Sequence, residues 1–407
     1  MTHLDPKKFY QRFLKGHEGT LHFAAHSHHF WPDVTREAHL EYWDDCAKLS
    51  DQKWSKIFTE VIPKAQKHIA EILNLKHEKQ IVFAPNTHEL TARLLSLFLG
   101  KKSLTILTTS SEFYSWRRQI LRLMEYPQVQ VTTIPTTDLL HQRDKFLEEV
   151  KLSLKKNPDL FFISQVFFDS GLALTDEELL DLSASCSDST IMVVDGYHGF
   201  GAIPTNLSKL EGKIFYLGGG YKYAQAGEGV GFMVVPKGDW RPAYTGWFAE
   251  YGSLKKPQGT LVGYTDDGSA FFGATQDPSG LYRFNAVWDL FKKEGLGIGD
   301  IHHYVTSLQR TFCENLPDSF LKNFHLTPLF SKDLNWHGHF LTFEAPSEPQ
   351  ASMVEETLKN LGILIDRRGS RLRFGFGLYQ DKADVERSHV LFLMGGAHKE
   401  KNMGPKD

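Results

Sequence analysis

The chain has 407 residues, 41% of them hydrophobic and 23% charged, with 46 Lys and Arg against 49 Asp and Glu for a formal charge of −3. That balance lacks the basic footprint of a dedicated nucleic-acid binder, and neither an apolar signal core at the start nor an apolar run of the roughly 20 residues that span a bilayer is present. Cys46, Cys186 and Cys313 are odd in number and far apart, with no CxxC pair, so neither a disulfide framework nor a zinc ribbon is expected and a reduced, cytoplasmic setting fits.

From about residue 59 the chain alternates. A helical pattern (EVIPKAQKHIAEILNL) leads to the apolar run IVFA at 81–84, a helix over Thr87–Leu99, the run SLTILT at 103–108, a helix over Phe113–Met124 and QVQVTTI at 128–134. The rhythm continues with a helix over 143–156, DLFFISQVF at 159–167, a helix over 175–184 and TIMVVDG at 190–196. Strands written as apolar runs, alternating with helices, indicate a mostly parallel sheet covered on both faces, an α/β architecture. After Gly212 come two close runs, KIFYLGG at 213–219 and GVGFMVVP at 229–236, and then an aromatic stretch from Trp240 to Phe272 that suits a binding loop better than a plain connector. From about residue 278 two helices, the strand GHFLTFEA, a helix at 350–361, ILIDRR, RLRFGF and a helix near 382–394 predict a smaller α+β domain. No repeat or linker cuts the chain. The expected division is a large domain over 50–290 and a small one from 1–49 and 291–407.

One pair of motifs carries the chemistry. VVDGYHG puts Asp195 and His198 at a strand end, and GGGYKYAQAGEGVGF centres on Lys222, 27 residues after the aspartate. A solvated lysine needs no glycine-rich turn between apolar strands, whereas a lysine held inside a site does. Such an amine forms a Schiff base with carbonyl compounds, pyridoxal phosphate among them, and an aspartate at a strand end can keep the pyridine nitrogen protonated. A plain turn lysine remains the bland alternative. The glycines match neither GxxxxGK[ST] nor GxGxxG and lead into a strand, which argues against a nucleotide loop. In IVFAPNTHELTARLL a strand runs through Asn86 and Thr87 into a helix, so first-turn amides and the Thr87 hydroxyl can meet an anion, unless these residues are only caps. Phe113 in SSEFYSW can offer a ring face to a flat cofactor, or simply pack in the core.

Taken in order, strand–NT–helix, strand–EFYS–helix, strand–SQVFFDSG, strand–DGYH and strand–GYK, the chain resembles the class V branch of fold type I pyridoxal-phosphate enzymes, and within it kynureninase. The resemblance covers about 59–290 and the RLRFGF segment, with Asp195-x-x-His198, Tyr221-Lys222-Tyr223, Gly246-Trp247-Phe248 and Arg373 as its most specific elements. It implies a fold type I large domain with pyridoxal 5'-phosphate bound to Lys222, Asp195 at the ring nitrogen, His198 near the ring and Phe113 stacked on it, with Asn86, Thr87 and Tyr221 at the phosphate. It further implies a homodimer with shared sites, in which Trp247 and Thr275 reach the partner's cofactor, and an Arg373 that clamps the carboxylate of an amino-acid substrate. Lys222, Asp195 and Tyr221 are then the catalytic set.

Two departures fall where substrate is expected: Trp116 replaces a family Asp, and HFAAHSHHFWP at 22–32 replaces the family's amino-terminal signature. His26 and His28 are assigned to substrate contact, since His26-x-His28-His29 lacks an evident fourth metal ligand and no metal is expected. Cys313 lies within an amphipathic helical pattern and reads as packed. The leading expectation is kynureninase-like hydrolytic cleavage of a side-chain bond. The alternatives are an aminotransferase, desulfurase or lyase on the same fold, or a non-catalytic cofactor-binding homologue.

Overall fold

A computed structural model of the chain describes residues 5–137, 139–253 and 262–402. The two-residue strand β1 (Leu21–His22) is followed by the strands of the main sheet: β2 (Ile81–Ala84), β3 (Leu104–Thr109), β4 (Val129–Ile134), β5 (Leu160–Ser164), β6 (Ile191–Asp195), β7 (Phe215–Gly219) and β8 (Gly231–Val234). Their spatial order is β2-β8-β7-β6-β5-β3-β4. All neighbours are parallel except β8, which runs antiparallel to both β7 and β2. Strands β2, β5, β7 and β8 are buried at every position, as their unbroken apolar runs require, while the edge strand β4 exposes its glutamine and threonine positions. This is the expected fold type I arrangement. The carboxyl ends of β2, β3, β5, β6 and β7 share one edge of the sheet, the place where open α/β sheets bind ligands.

The smaller unit continues with β9 (Thr327–Pro328), β10 (Phe340–Glu344), β11 (Ile363–Leu364), β12 (Asp366–Arg368) and β13 (Arg371–Gly375). ILIDRR is therefore not one strand: β11 pairs in parallel with β1, whereas β12 joins an antiparallel sheet of order β12-β13-β10-β9. The amino-terminal segment belongs to both units. Leu21 and Phe23 join the smaller core with Phe312, Phe343 and Phe374, while Phe9, Tyr10, Phe30 and Ala38 join the larger. Sequence reading missed the helix Val34–Leu49 because only Thr35 and Ala38 of its residues are buried, which leaves no apolar stripe to detect. It packs along the helix Ser279–Lys293 of the large unit, although a division at residue 50 places it with the small one. Among the described residues no helix is long and apolar enough to cross a membrane. Part of the aromatic stretch 240–272, residues 254–261, lies outside the described residues.

Candidate active site

Three turns at the carboxyl edge of the sheet converge on Lys222. It sits in the β7–β8 connection, is 5% exposed, and its Nζ lies 2.6 Å from His198 Nε2. Asp195 ends β6 and accepts a 2.9 Å hydrogen bond from the Tyr197 amide. Aromatic rings enclose the amine: Nζ is 5.1 Å from the Tyr197 ring centre, 5.5 Å from Phe113 and 5.8 Å from Tyr221. Such walls exclude water, and desolvation pushes the Lys222 amine down to about 7, with Asp195 pulling the other way and Arg373 adding to the drop. Burial likewise lowers His198 far below the usual imidazole range, assisted by the Lys222 charge. A neutral imidazole at this distance can accept a hydrogen bond from the amine at Nε2 when its own hydrogen is on Nδ1, an atom buried without a partner among the described residues. Desolvation raises the Asp195 carboxyl; the Tyr197 amide and the Lys222 charge offset part of that rise.

Two glycines make the convergence possible. A Cβ on Gly219 would lie 2.3 Å from the Tyr197 ring, and one on Gly231 would lie 2.4 Å from the Asn86 backbone. The first lets the Tyr197 ring approach the β7 end; the second lets β8 pass close to the start of the helix Thr87–Leu95. Asn86 is the cap of that helix, its Oδ1 accepting from the Glu89 amide at 3.0 Å. The cap reading is thus correct for Asn86, and it turns the first-turn amides and Thr87 toward the cleft.

The cleft brings together Asn86, Thr87, Phe113, Asp195, His198, Tyr221 and Lys222, in a cavity of about 150 Å³. Sequence reading missed His88, Ser164, Phe168 and Tyr197, which line it as well. The signal for Tyr197 was present, since it lies between Asp195 and His198 in one turn. Phe168 carried no signal, because its place follows from the loop after β5 folding back through the Val166–Ala173 bridge.

None of the remaining expected residues lines the cleft, although His26, His28 and Arg373 lie against residues that do. Trp247 and Thr275 are bonded to each other, Nε1 to Oγ1 at 3.1 Å, on the protein surface. The three histidines of the HSHH segment diverge: His26 is buried and stacked on Phe340, His28 stands exposed 5.8 Å from the Tyr221 ring, and His29 Nδ1 bonds the Phe30 carbonyl. Arg373 is 1% exposed and is not an open clamp. Its Nε and one terminal nitrogen hold Asp366, the other donates to the Phe168 carbonyl at 2.6 Å, and the guanidinium lies 4.3 Å from the Phe168 ring centre. Trp116 corrects another expectation. It does not face substrate but packs in the core on Phe162, with Nε1 donating to Thr108 Oγ1 at 2.9 Å. Cys313 lies in the helix Ile298–Asn315, and burial pushes its thiol up to about 12.

Residues 24–388 match the family described as aminotransferase class-V. Solved structures superpose over nearly the whole chain. C-DES, described as a cystine C–S lyase and solved in a variant with glycine linked to its PLP cofactor, is 17% identical with a TM-score of 0.79, covering 94% of this chain and 98% of that one. A cysteine desulfurase from Thermococcus onnurineus is 20% identical with a TM-score of 0.78, covering 98% and 99%. The Escherichia coli desulfurase CsdA is 16% identical with a TM-score of 0.75, covering 98% and 99%. A comparison with curated proteins finds no match. These likenesses carry the sequence-based resemblance as far as its family and single out no kynureninase-like member within it.

Proposed function

This chain belongs to the class V aminotransferase family, whose cofactor is pyridoxal 5'-phosphate, and from that membership and the cleft geometry we propose that it is an enzyme acting on an amino acid by lyase-type cleavage at the side chain's β-carbon. One observation carries the reading: a lysine amine, buried and pushed down to about 7, faces a strand-end carboxylate and stands among aromatic rings. A structural lysine has no need of that combination. The residues present suit the cofactor, since the cleft offers a free amine, a carboxyl for a ring nitrogen, an unpartnered His198 Nδ1 and a helix start for a phosphate. Lys222 would hold it, with Asp195 at the ring nitrogen, Phe113 on a ring face, His198 beside the ring, and Asn86, Thr87 and Tyr221 at the phosphate end. When bound, the cofactor would supply a protonated ring that stabilises negative charge on the substrate's α-carbon.

The protein's own part is proton handling and exclusion of water. Lys222, about half protonated near neutral pH, can take and return a proton at Nζ. Neutral His198 holds that amine in place at 2.6 Å. Tyr221, raised by burial and the nearby carboxylates, stays protonated and can donate from its phenol. Phe113, Phe168 and Tyr197 keep solvent from the reacting atoms. Among the described residues no cysteine lines the cleft, and this supports elimination over desulfuration, which needs a nucleophilic cysteine to carry the sulfur. The outward Trp247–Thr275 pair suits a homodimer in which each subunit completes the other's site.

Hydrolytic, kynureninase-like cleavage is the second reading, favoured by the protonated Tyr221 next to Lys222. Products separate the two. Cofactor-loaded protein is given L-cystine, L-cysteine, L-kynurenine or 3-hydroxykynurenine while the visible spectrum and the products are followed. Pyruvate and a sulfur product support the lyase reading, whereas alanine with an anthranilate replaces it by the hydrolase. Loaded protein that gives spectral shifts but neither product set leaves both reactions wrong and the cofactor site right.

A further inference from the structure

Glu112 is a buried carboxyl to which the cofactor reading assigns no task. It precedes Phe113 in the turn after β3 and is 5% exposed. One of its oxygens meets the Thr109 hydroxyl at 2.6 Å and the Ser164 amide at 3.2 Å, and the other is bonded to the Ser164 hydroxyl. Ser164 ends β5, lines the cleft and lies in register with Asp195 on β6. The charged groups felt at this corner are Asp195 from β6 and, facing it, Lys222 from the β7–β8 connection.

Two carboxyls this deep do not both ionise. The Tyr197 amide and the Lys222 charge favour the anion on Asp195, whereas Glu112 meets only two hydroxyls and one amide. Burial pushes Glu112 up to about 8, with Asp195 adding to the rise. The proton therefore resides on Glu112 at neutral pH, and its place decides the direction of one hydrogen bond. An ionised Glu112 can only accept, so Ser164 must donate back to it. A protonated Glu112 donates, and the Ser164 O–H is released.

We propose that Glu112 is a positioning residue: its carboxyl O–H donates to Ser164 Oγ and turns the Ser164 hydroxyl outward, as a donor into the cleft beside Asp195, where it meets the cofactor. This rests on the cofactor reading of the cleft. Glutamine at position 112 reproduces the protonated carboxyl at every pH, because its amide donates to Ser164 and its oxygen accepts from Thr109.

The test is the affinity of the cofactor-free protein for pyridoxal 5'-phosphate, followed by fluorescence from about pH 6.5 to 9.5 in the wild type, Glu112→Gln and Ser164→Ala. Affinity in the wild type is expected to fall about fivefold more between pH 7 and 9 than in Glu112→Gln, the worth of one neutral hydrogen bond. Ser164→Ala, with no hydroxyl to turn, is expected to start about fivefold weaker and to follow the Glu112→Gln pH profile. Identical pH profiles in the wild type and Glu112→Gln overturn the inference and leave the cofactor reading standing. A wild type that binds no pyridoxal phosphate overturns both. A second readout needs no cofactor: the thermal stability of the wild type should fall relative to Glu112→Gln as pH rises from about 5 to 8, since Glu112 is protonated in the folded state and ionised in the unfolded one. Parallel stability profiles would also sink the proposal.

Discussion

Lys222 and Arg373 are cations buried in neighbouring parts of the structure, and they meet opposite fates. Lys222 lies early in the β7–β8 connection among aromatic rings, with no carboxylate of the described residues in hydrogen-bond contact, and its amine falls to about 7. Arg373 lies in β13 of the small sheet, bonded to Asp366 on the neighbouring β12, to the Phe168 carbonyl and to the Phe168 ring face. Desolvation weakens its hold on the proton, but the Asp366 anion keeps the guanidinium charged. Burial with an anion near but not in contact leaves the amine with a lowered pKa, while burial in direct contact with one keeps the cation paired.

The hardest way to break this comparison is to remove the amine. Lys222→Ala should abolish the absorbance of the lysine–cofactor Schiff base and lower turnover by about 10⁴-fold, and a variant with that absorbance and the rate intact would end the assignment. Removing the anion should harm the pair instead. Asp366→Asn leaves Arg373 buried and unpaired and should destabilise the fold by about 3–5 kcal/mol in urea unfolding. The double variant Asp366→Asn, Arg373→Met should recover much of that loss. Against the desolvation of its burial, the contacting Arg373 guanidinium holds the Asp366 carboxyl well below the usual carboxylate range. Its stabilisation is thus present above the ordinary carboxylate pKa of about 4 and is lost as pH falls below it.

The two cations can also be separated by pH. In cofactor-free protein, the rate of covalent capture of pyridoxal should rise through about pH 7 and then level off, where an ordinary lysine would keep gaining until about pH 10. Because the folded-state pKa of Lys222 lies below its unfolded value, the same group should make cofactor-free stability increase with pH between about 7 and 10. A capture rate that climbs to pH 10 would mean the amine is not desolvated. The smallest effect is expected at Trp116, outside the cleft. Trp116→Phe keeps the stack on Phe162, loses the bond to Thr108, and should cost about 1 kcal/mol while leaving turnover within about twofold. A large change in substrate preference would put that residue back in the site.

Much of the large unit was legible in the sequence because its strands are unbroken apolar runs. IVFA, LFFIS and IMVVD admit no solvated face, so both the sheet and its helical cover follow. Legibility failed where burial is sparse or the chain doubles back. The helix Val34–Leu49 buries too little to show a stripe, and ILIDRR divides between two sheets at a point no pattern marks. The cleft divides in the same way. Asn86, Thr87, Phe113, Asp195, His198, Tyr221 and Lys222 each sit at a strand end or in the turn that follows, so strand order alone brings them to one edge.

Arg373, His26 and Trp116 occupy strands, helices and loops whose facing depends on which element packs against them. Asp366 reaches Arg373 only because β12 pairs with β13, and Trp116 turns inward only because Phe162 of β5 offers its ring. Glu112 is the extreme case, a carboxyl whose protonation is set by burial and by Asp195, and which meets a hydroxyl 52 residues away in the chain. The sequence by itself determined the α/β sheet, the class V family and the groups at the strand ends, because periodicity and order along the chain are local properties. Tertiary structure alone decided which buried charges find partners, because pairing and desolvation depend on neighbours that only folding supplies.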